Sequence, residues 1–374
     1  MTITGPNYAG ALLEIDLDAL VGNWRALRAR LGDAGCAAVV KADAYGLGAA
    51  IVAPALAEAG ARLFFVAHLD EALALRPLLP KAAEIYVLNG LPAGAERDCA
   101  AAGVIPVLNS LAQVTAWAGL ATRSSRPLPA ALQIDTGMCR LGLAEDELRR
   151  VADDPTRLDG IALRLVMSHL ACADFPTSRM NREQRARFEA SRRRLPPAPA
   201  SLANSSGIFL GPAFHFDLVR PGAALYGLAP VAGAPNPMRP VVRLLGRILQ
   251  VRDVPAGARV GYGAAWTATR PSRIATVAVG YADGYLRSLS HCATGFAGDR
   301  AVPLVGIVSM DTATFDVTDA PQAAEGGFLE LFGPHNPVDA VARAAGTIGY
   351  ELLTALGGRY ARTYANPRIE RLIA

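Results

Sequence analysis

The sequence predicts an α/β protein, an N-terminal (β/α)8 TIM-like barrel followed by a C-terminal mostly β domain, on three observations. Over the first ~230 residues, short apolar runs alternate with longer stretches of helical character. About eight such units occur, which favours a closed barrel over an open sheet. Beyond Pro230–Pro240, a Pro-, Gly- and Ala-rich stretch that breaks helix and strand, the apolar runs become strand-sized and turn-bounded.

The elements follow in chain order. Strands are expected at Cys36–Val40, Leu63–Val66, Glu84–Leu88, Val104–Val107, Ala130–Ile134, Leu163–Ser168, Ala200–Ala203 and His215–Val219. Helices are expected between them at Ala49–Ala59, Asp70–Leu79, Ser110–Leu120, Glu145–Ala152 and Asn181–Leu195. In the C-terminal part, Val241–Val251, Arg273–Val279, Ala301–Val308 and Ala313–Val317 read as strands. The run Leu12–Ile15 either pairs with that β domain or caps the barrel. The division is therefore an N-terminal segment 1–10 associated with the β domain, a barrel over 11–235 and a β domain over 236–374.

Composition narrows the function classes. Of 374 residues, 52% are hydrophobic and 19% charged, enough for a large core and unlike a disordered chain. The net charge of +4 mildly favours anionic small molecules, and the scattering of the basic residues argues against a nucleic-acid partner. The one dense run, Arg192-Arg193-Arg194, reads as a solvated helix end at the negative pole of the dipole. Every long apolar stretch is broken by charge, Pro or Gly, so no membrane span is expected. Glu14, Asp16 and Asp18 come too early for a secretory signal. The five cysteines are odd in number and form no Cys-x-x-Cys pair, which reads as free thiols in a cytoplasmic protein. No metal-binding, P-loop or Gly-x-Ser-x-Gly motif is present. Gly46-x-Gly48 imitates a dinucleotide fingerprint, but Ile51 stands where the third glycine belongs.

Chemistry-bearing residues collect at one end of the barrel. Lys41 follows strand one, Arg140 strand five, His169 strand six, Asn204 and Ser205 strand seven, and Arg220 strand eight. These are the carboxyl ends, where active sites of this architecture assemble. Each residue alone has an ordinary structural reading; their joint placement on one rim is the signal. The loops Asn204-Ser205-Ser206-Gly207 and Arg220-Pro221-Gly222-Ala223 offer hydroxyls and approachable N–H groups, suited to a phosphate. A charge directly after an apolar strand, followed by a glycine-rich turn, is a feature of sites rather than surfaces. A strand-end lysine with a phosphate cradle points to pyridoxal phosphate.

Several motifs carry a resemblance. Ala38-Val39-Val40-Lys41-Ala42-Asp43-Ala44-Tyr45-Gly46, Asp135-Thr136-Gly137-Met138-x-Arg140, Ser168-His169-x-Ala171, Asn204-Ser205 and Arg220-x-Gly222 resemble the motifs of alanine racemases. So do Val260-Gly261-Tyr262-Gly263, Val279-Gly280-Tyr281-Ala282-Asp283-Gly284 and Ser309-Met310-Asp311, and the match runs over essentially the whole chain. The resemblance implies a cytoplasmic homodimer with shared active sites, interconverting L- and D-alanine on pyridoxal 5′-phosphate for peptidoglycan or for alanine catabolism. It assigns the cofactor to Lys41, Tyr45, His169, Asn204, Ser205, Arg220, Gly222, Ala223 and Tyr364. It assigns the substrate carboxylate to Arg140 and to Met310 of the second subunit, and the entry path to Asp174, Tyr281 and Arg287.

Racemisation removes a proton from one face of the α-carbon and returns one to the other, which two fixed bases do without moving. The resemblance makes them Lys41 and the second subunit's tyrosine at position 262. A phenol in water ionises near ~10, so a tyrosine base needs a positive neighbour, and the His169–Arg220 pair is the expected source. In place of the lysine that many family members carry two residues before Asp-Thr-Gly-Met, modified by carbon dioxide, this chain has Gln133. Its amide, directly or with a bound anion, is the expected substitute for orienting Arg140. Other readings are a broad-specificity or serine racemase, a decarboxylase, a non-catalytic pyridoxal-phosphate carrier and a Schiff-base aldolase. The decarboxylase would need an acid where Arg220 stands, and neither the carrier nor the aldolase needs the second-domain tyrosine.

Overall fold

The computed structural model describes residues 8–124 and 126–365. Two compact units emerge. One comprises the described residues up to Leu20, Tyr226–Leu228 and those from Arg239 on; the other comprises Val21–Leu225 and Ala229–Met238.

The second unit is the predicted barrel. Gly35–Cys36 and Ala38–Val39 form the first barrel strand, interrupted at Ala37. Leu63–Val66, Glu84–Val87, Ile105–Leu108, Leu128–Gln133, Ile161–Met167 and Ala200–Ser201 follow in parallel. The eighth strand, Leu218–Val219, closes the ring by pairing in parallel with Gly35–Cys36. On its other side the Asp217 and Arg220 N–H groups donate to the Ala200 and Ala203 carbonyls at 3.0 and 2.9 Å. Closure leaves the described barrel without an open edge. Strand residues such as Phe64, Phe65, Ile85, Val107 and Leu132 are fully buried, as parallel strands covered on both faces require.

The helices Ala49–Glu58, Leu69–Leu75, Leu111–Ala121, Glu145–Asp153 and Arg179–Arg192 lie close to where the hydrophobic period puts them. The expected helix Asp70–Leu79 stops at Leu75, because Pro77 has no N–H to continue it and a 3-10 turn, Arg76–Leu78, takes over. The expected strand His215–Val219 is shorter: Pro212–Phe214 is a 3-10 turn, His215 Nε2 bonds the Ile208 carbonyl at 2.9 Å, and only Leu218–Val219 pairs. Helices Leu17–Arg28 and Glu96–Ala101 were not read from the sequence.

The first unit is mostly β. Ser272–Val277, Ala313–Asp316, Arg300–Val305, Thr294–Ala297, Phe328–Phe332 and Val242–Val254 run antiparallel, and Ser272–Val277 pairs back onto Val242–Val254 to close the ring. Val242–Val254 serves several neighbours because irregularities at Leu244/Leu245 and Ile248/Gln250 change its register. The open question at Leu12–Ile15 resolves by pairing: Ala11–Asp16 lies antiparallel to Val242–Val254 and parallel to Ala361–Ala365. The N-terminal stretch grouped with this unit reaches Leu20. No helix among the described residues is long and apolar enough to cross a membrane.

Candidate active site

Lys41 directly follows the first barrel strand, and the chain then winds the wrong way. Ala42, Asp43, Ala44 and Tyr45 all take left-handed helical angles, with φ between 52 and 57°. Each such L-residue is disfavoured by about 1–2 kcal/mol, so the surroundings must hold the turn. Ala44 N–H donates to the Val40 carbonyl at 2.9 Å, Gly48 N–H to Asp43 O at 2.9 Å, and Ala49 N–H to Asp43 Oδ1 at 2.7 Å. The winding carries Tyr45 inward until its hydroxyl lies against Gly222, where a Cβ would come within 2.2 Å of the Tyr45 oxygen. Any side chain at 222 would force the buried Tyr45 ring to shift. Burial holds the Lys41 amine below the usual lysine range, and the Arg140 charge lowers it further while Glu71 opposes the shift.

The loops after strands seven and eight form one cradle. Ser205 Oγ accepts from Gly222 N–H at 2.9 Å and from Ala224 N–H at 3.2 Å, which leaves its own proton to donate outward. The N–H of Ala223, a residue only 4% exposed, has no acceptor among the described residues. Buried donors of this kind want an anion. Asn204 turns back on its own loop, its Oδ1 accepting from Gly207 N–H at 2.9 Å.

Arg220 is 3% exposed and bonds the Ser168 carbonyl at 2.6 Å, Ser201 Oγ, and His169 Nδ1 at 3.5 Å. No carboxylate among the described residues pairs with it. Burial pushes its guanidinium down to about 9, which leaves it charged at neutrality. The same burial, with repulsion from Arg220, Arg140 and Lys41, pushes His169 down to about 3. His169 is thus a neutral acceptor for Arg220, and the positive charge of the expected pair resides on Arg220 alone. Folding keeps His169 unprotonated while the unfolded chain protonates it near 6.5, so its contribution to stability is fully present above about pH 6.5 and is lost as pH falls toward about 3. We expect a His169→Gln variant to lose part of that acid slope in denaturant titrations; an identical slope contradicts the assignment.

Arg140 sits at the exposed tip of the loop after strand five. Asp135 Oδ1 accepts from the Gly137, Met138 and Cys139 N–H groups at 2.8, 2.9 and 3.1 Å, which shapes the first half of that loop. Gln133, 6% exposed, donates its amide N–H to the Leu141 carbonyl at 3.0 Å and so holds the residue next to Arg140. The Gln133 amide thus bonds the neighbour of Arg140 rather than Arg140 itself. Gln133→Ala leaves that carbonyl without its donor; if Arg140 is the carboxylate-binding residue that the resemblance implies, KM is expected to rise roughly three- to tenfold with kcat less affected. An unchanged KM sinks the positioning role.

The remaining expected residues lie in the β unit, apart from Asp174 in the loop after strand six. Tyr262, in a 3-10 turn, is 74% exposed and lines a cavity of about 410 Å³ with Gly261, Thr276, Ile307, Ser309, Thr312 and Thr314. Met310 is 53% exposed, and its neighbourhood is tied to Tyr281 by Tyr281 N–H to Ser309 O and Ala282 N–H to Met310 O, both 3.0 Å. Arg359 bridges the two loops, reaching Asp283 at 2.6 Å and Asp311 at 2.6 Å. Sequence reading passed over Arg359, since no local pattern marks a long-range bridge. The fold therefore gathers Tyr262, Tyr281 and Met310 on neighbouring loops; Arg287 opens the following 3-10 turn and Tyr364 lies beside Ile15 in the strand Ala361–Ala365.

The profile of the alanine racemase N-terminal domain matches residues 15–230, and that of the alanine racemase C-terminal domain matches residues 241–364. The chain belongs to the alanine racemase family. An alanine racemase of Rhodospirillum rubrum is 54% identical over 96% of this chain and 97% of its own length. One of Brucella abortus is 52% identical over 95% and 94%. The crystal structure of an alanine racemase from Bartonella henselae with covalently bound pyridoxal phosphate superposes with a TM-score of 0.93, at 43% identity, over 96% of this chain and all of that one. Within the family frame, Gln133 rather than a modifiable lysine supports the loop of Arg140.

Proposed function

We propose that the protein is a pyridoxal-phosphate-dependent alanine racemase interconverting L- and D-alanine. The observation that carries the reading is the buried Arg220, paired with no carboxylate among the described residues, next to a donor-lined cradle on the rim that also holds Lys41. The residues fit the cofactor: a strand-end amine depressed by burial, a serine hydroxyl and the Ala223 N–H, without an acceptor among the described residues, for the phosphate, and a buried cation, Arg220, on the same rim. Lys41, Tyr45, Ser205, Gly222, Ala223 and Tyr364 would hold it, with Arg220 at its ring nitrogen, His169 positioning Arg220, and Asn204 shaping the cradle. Bound there, it supplies the electron sink that acidifies the α-hydrogen of the amino acid joined to it.

The chain's own groups do the rest. Arg140, with the Met310 N–H of a second copy, binds the substrate carboxylate and fixes which faces of the α-carbon meet the bases. The Lys41 amine holds or returns the proton on one face; the Tyr262 hydroxyl of the second copy does so on the other. Asp174, Tyr281 and Arg287 line the way in. The strong exposure of Tyr262 and Met310 within their own unit supports a homodimer in which the β domain of one subunit completes the barrel mouth of the other. The five unpaired cysteines support a cytoplasmic location.

The test is incubation with L-alanine and with L-serine, reading the D-enantiomers. D-alanine formed far faster than D-serine supports the reading, comparable rates favour a broad-specificity enzyme, and no racemisation overturns both. Shared sites are tested by mixing inactive Lys41→Ala and Tyr262→Phe proteins through a dissociation step. Mixed dimers should regain roughly a quarter of the activity, because half the dimers then carry one intact site of two. No recovery contradicts sharing.

A further inference from the structure

Glu71 lies at the third position of the helix Leu69–Leu75, and its two oxygens do different things. Oε2 accepts the Ala67 and His68 N–H groups at 2.7 and 3.1 Å, the ordinary task of a glutamate closing its own helix start. Oε1 leaves that helix and accepts the Ala42 N–H at 2.6 Å. Ala42 is the residue after Lys41 and the first of the four left-handed residues. A glutamate needed only to cap its helix has no use for this second bond across 29 positions of chain.

We propose that Glu71 is a positioning residue of Lys41: its carboxylate staples the disfavoured left-handed turn to the loop after the second barrel strand and so fixes the approach of the Lys41 amine to the cofactor aldehyde. The inference deepens the racemase reading and rests on it. The covalent step served is condensation: the Lys41 nitrogen adds to the aldehyde carbon, a carbon–nitrogen double bond forms and one water leaves. Three N–H donors converge on one side chain, so all three are satisfied only by a carboxylate. An amide presents one acceptor oxygen, and its own N–H groups face a donor wherever they turn. The turn opposes the staple with the intrinsic preference of Ala42 for negative φ, which makes a specific compensation available: glycine at 42 takes the same angle without a Cβ clash.

The experiment reloads cofactor-stripped full-length protein with two ligands. Pyridoxal 5′-phosphate binds through phosphate, ring and the Lys41 linkage. Pyridoxine 5′-phosphate, which has an alcohol in place of the aldehyde, uses only the phosphate and ring contacts. Covalent capture is read by borohydride trapping and peptide mapping at Lys41. Glu71→Ala is expected to weaken pyridoxal 5′-phosphate retention roughly ten- to a hundredfold while moving pyridoxine 5′-phosphate affinity by less than about threefold. Glu71→Gln should shift in the same direction, and it carries the test if the alanine variant fails to fold. Adding Ala42→Gly should recover part of the loss. Equal weakening of both ligands, or no weakening of either, overturns the assignment of Glu71 and leaves the racemase reading standing. Failure of the unsubstituted protein to trap pyridoxal 5′-phosphate at Lys41 overturns that reading and this inference with it.

Discussion

Tyr262→Phe should all but eliminate racemisation, by a factor on the order of 10²–10⁴, while leaving exchange of the α-hydrogen with solvent intact for one enantiomer of alanine. The phenylalanine keeps the ring and removes only the hydroxyl, in a side chain that is exposed within its own unit, so folding should be unaffected. Loss of one positioned base is worth on the order of 10²–10⁴ in rate. Because mirror-image substrates are equal in free energy, kcat/KM must fall by the same factor in both directions, and comparing the two directions cannot reveal which base was lost. Exchange can. On the two-base proposal, the surviving Lys41 should still remove and return a proton on its own face in deuterium oxide. One enantiomer therefore gains deuterium without inverting and the other gains almost none. Mass spectrometry of each recovered enantiomer reads this directly. Exchange lost for both enantiomers, or kept for both, contradicts the two-base assignment.

Arg220→Glu should change what the enzyme makes rather than only how fast. The guanidinium stays protonated at neutrality even after burial lowers it to about 9, so it can donate to a ring nitrogen but cannot take a proton from it. An electron pair released at the α-carbon is then only moderately drawn into the ring, and reprotonation at carbon wins. A carboxylate in that position holds the ring nitrogen protonated, deepens the sink and favours transamination. We expect the ratio of pyruvate to D-alanine formed from L-alanine to rise roughly ten- to a hundredfold, with racemisation falling. The substitution also strips the Ser168 carbonyl and Ser201 hydroxyl of their donor, a loss of about 1–3 kcal/mol, so thermal stability is measured alongside. Arg220→Lys is the control: it keeps a positive charge and should keep the ratio low. An unchanged ratio in the glutamate variant contradicts the role given to Arg220.

Most of the barrel was legible because its signal is local. Short apolar runs such as Leu63–Val66 read as buried strands from composition and length alone, and the strand-end positions of Lys41, Arg140, His169, Ser205 and Arg220 follow from counting strands. Thr294–Ala297, Phe328–Phe332 and Ala361–Ala365 were missed because short antiparallel strands are set by their partners more than by their own residues. The helix Asp70–Leu79 was overextended because the hydrophobic period ran on past Pro77.

The sequence by itself determined the fold class, the rim on which the candidate residues sit, and the family, because periodicity and motif spacing are properties of neighbouring residues. Only the tertiary structure decided that the turn after Lys41 winds left-handed, that Glu71 reaches back to Ala42, that burial and neighbouring cations lower His169 beside Arg220, that Arg220 is buried with no carboxylate partner among the described residues, and that Ala11–Asp16 joins the β unit. The physical reason is the same in each case. A hydrogen bond across 29 or 51 positions of chain, like a shift in protonation caused by burial, depends on which segments meet in space, and nothing local in the sequence encodes that meeting.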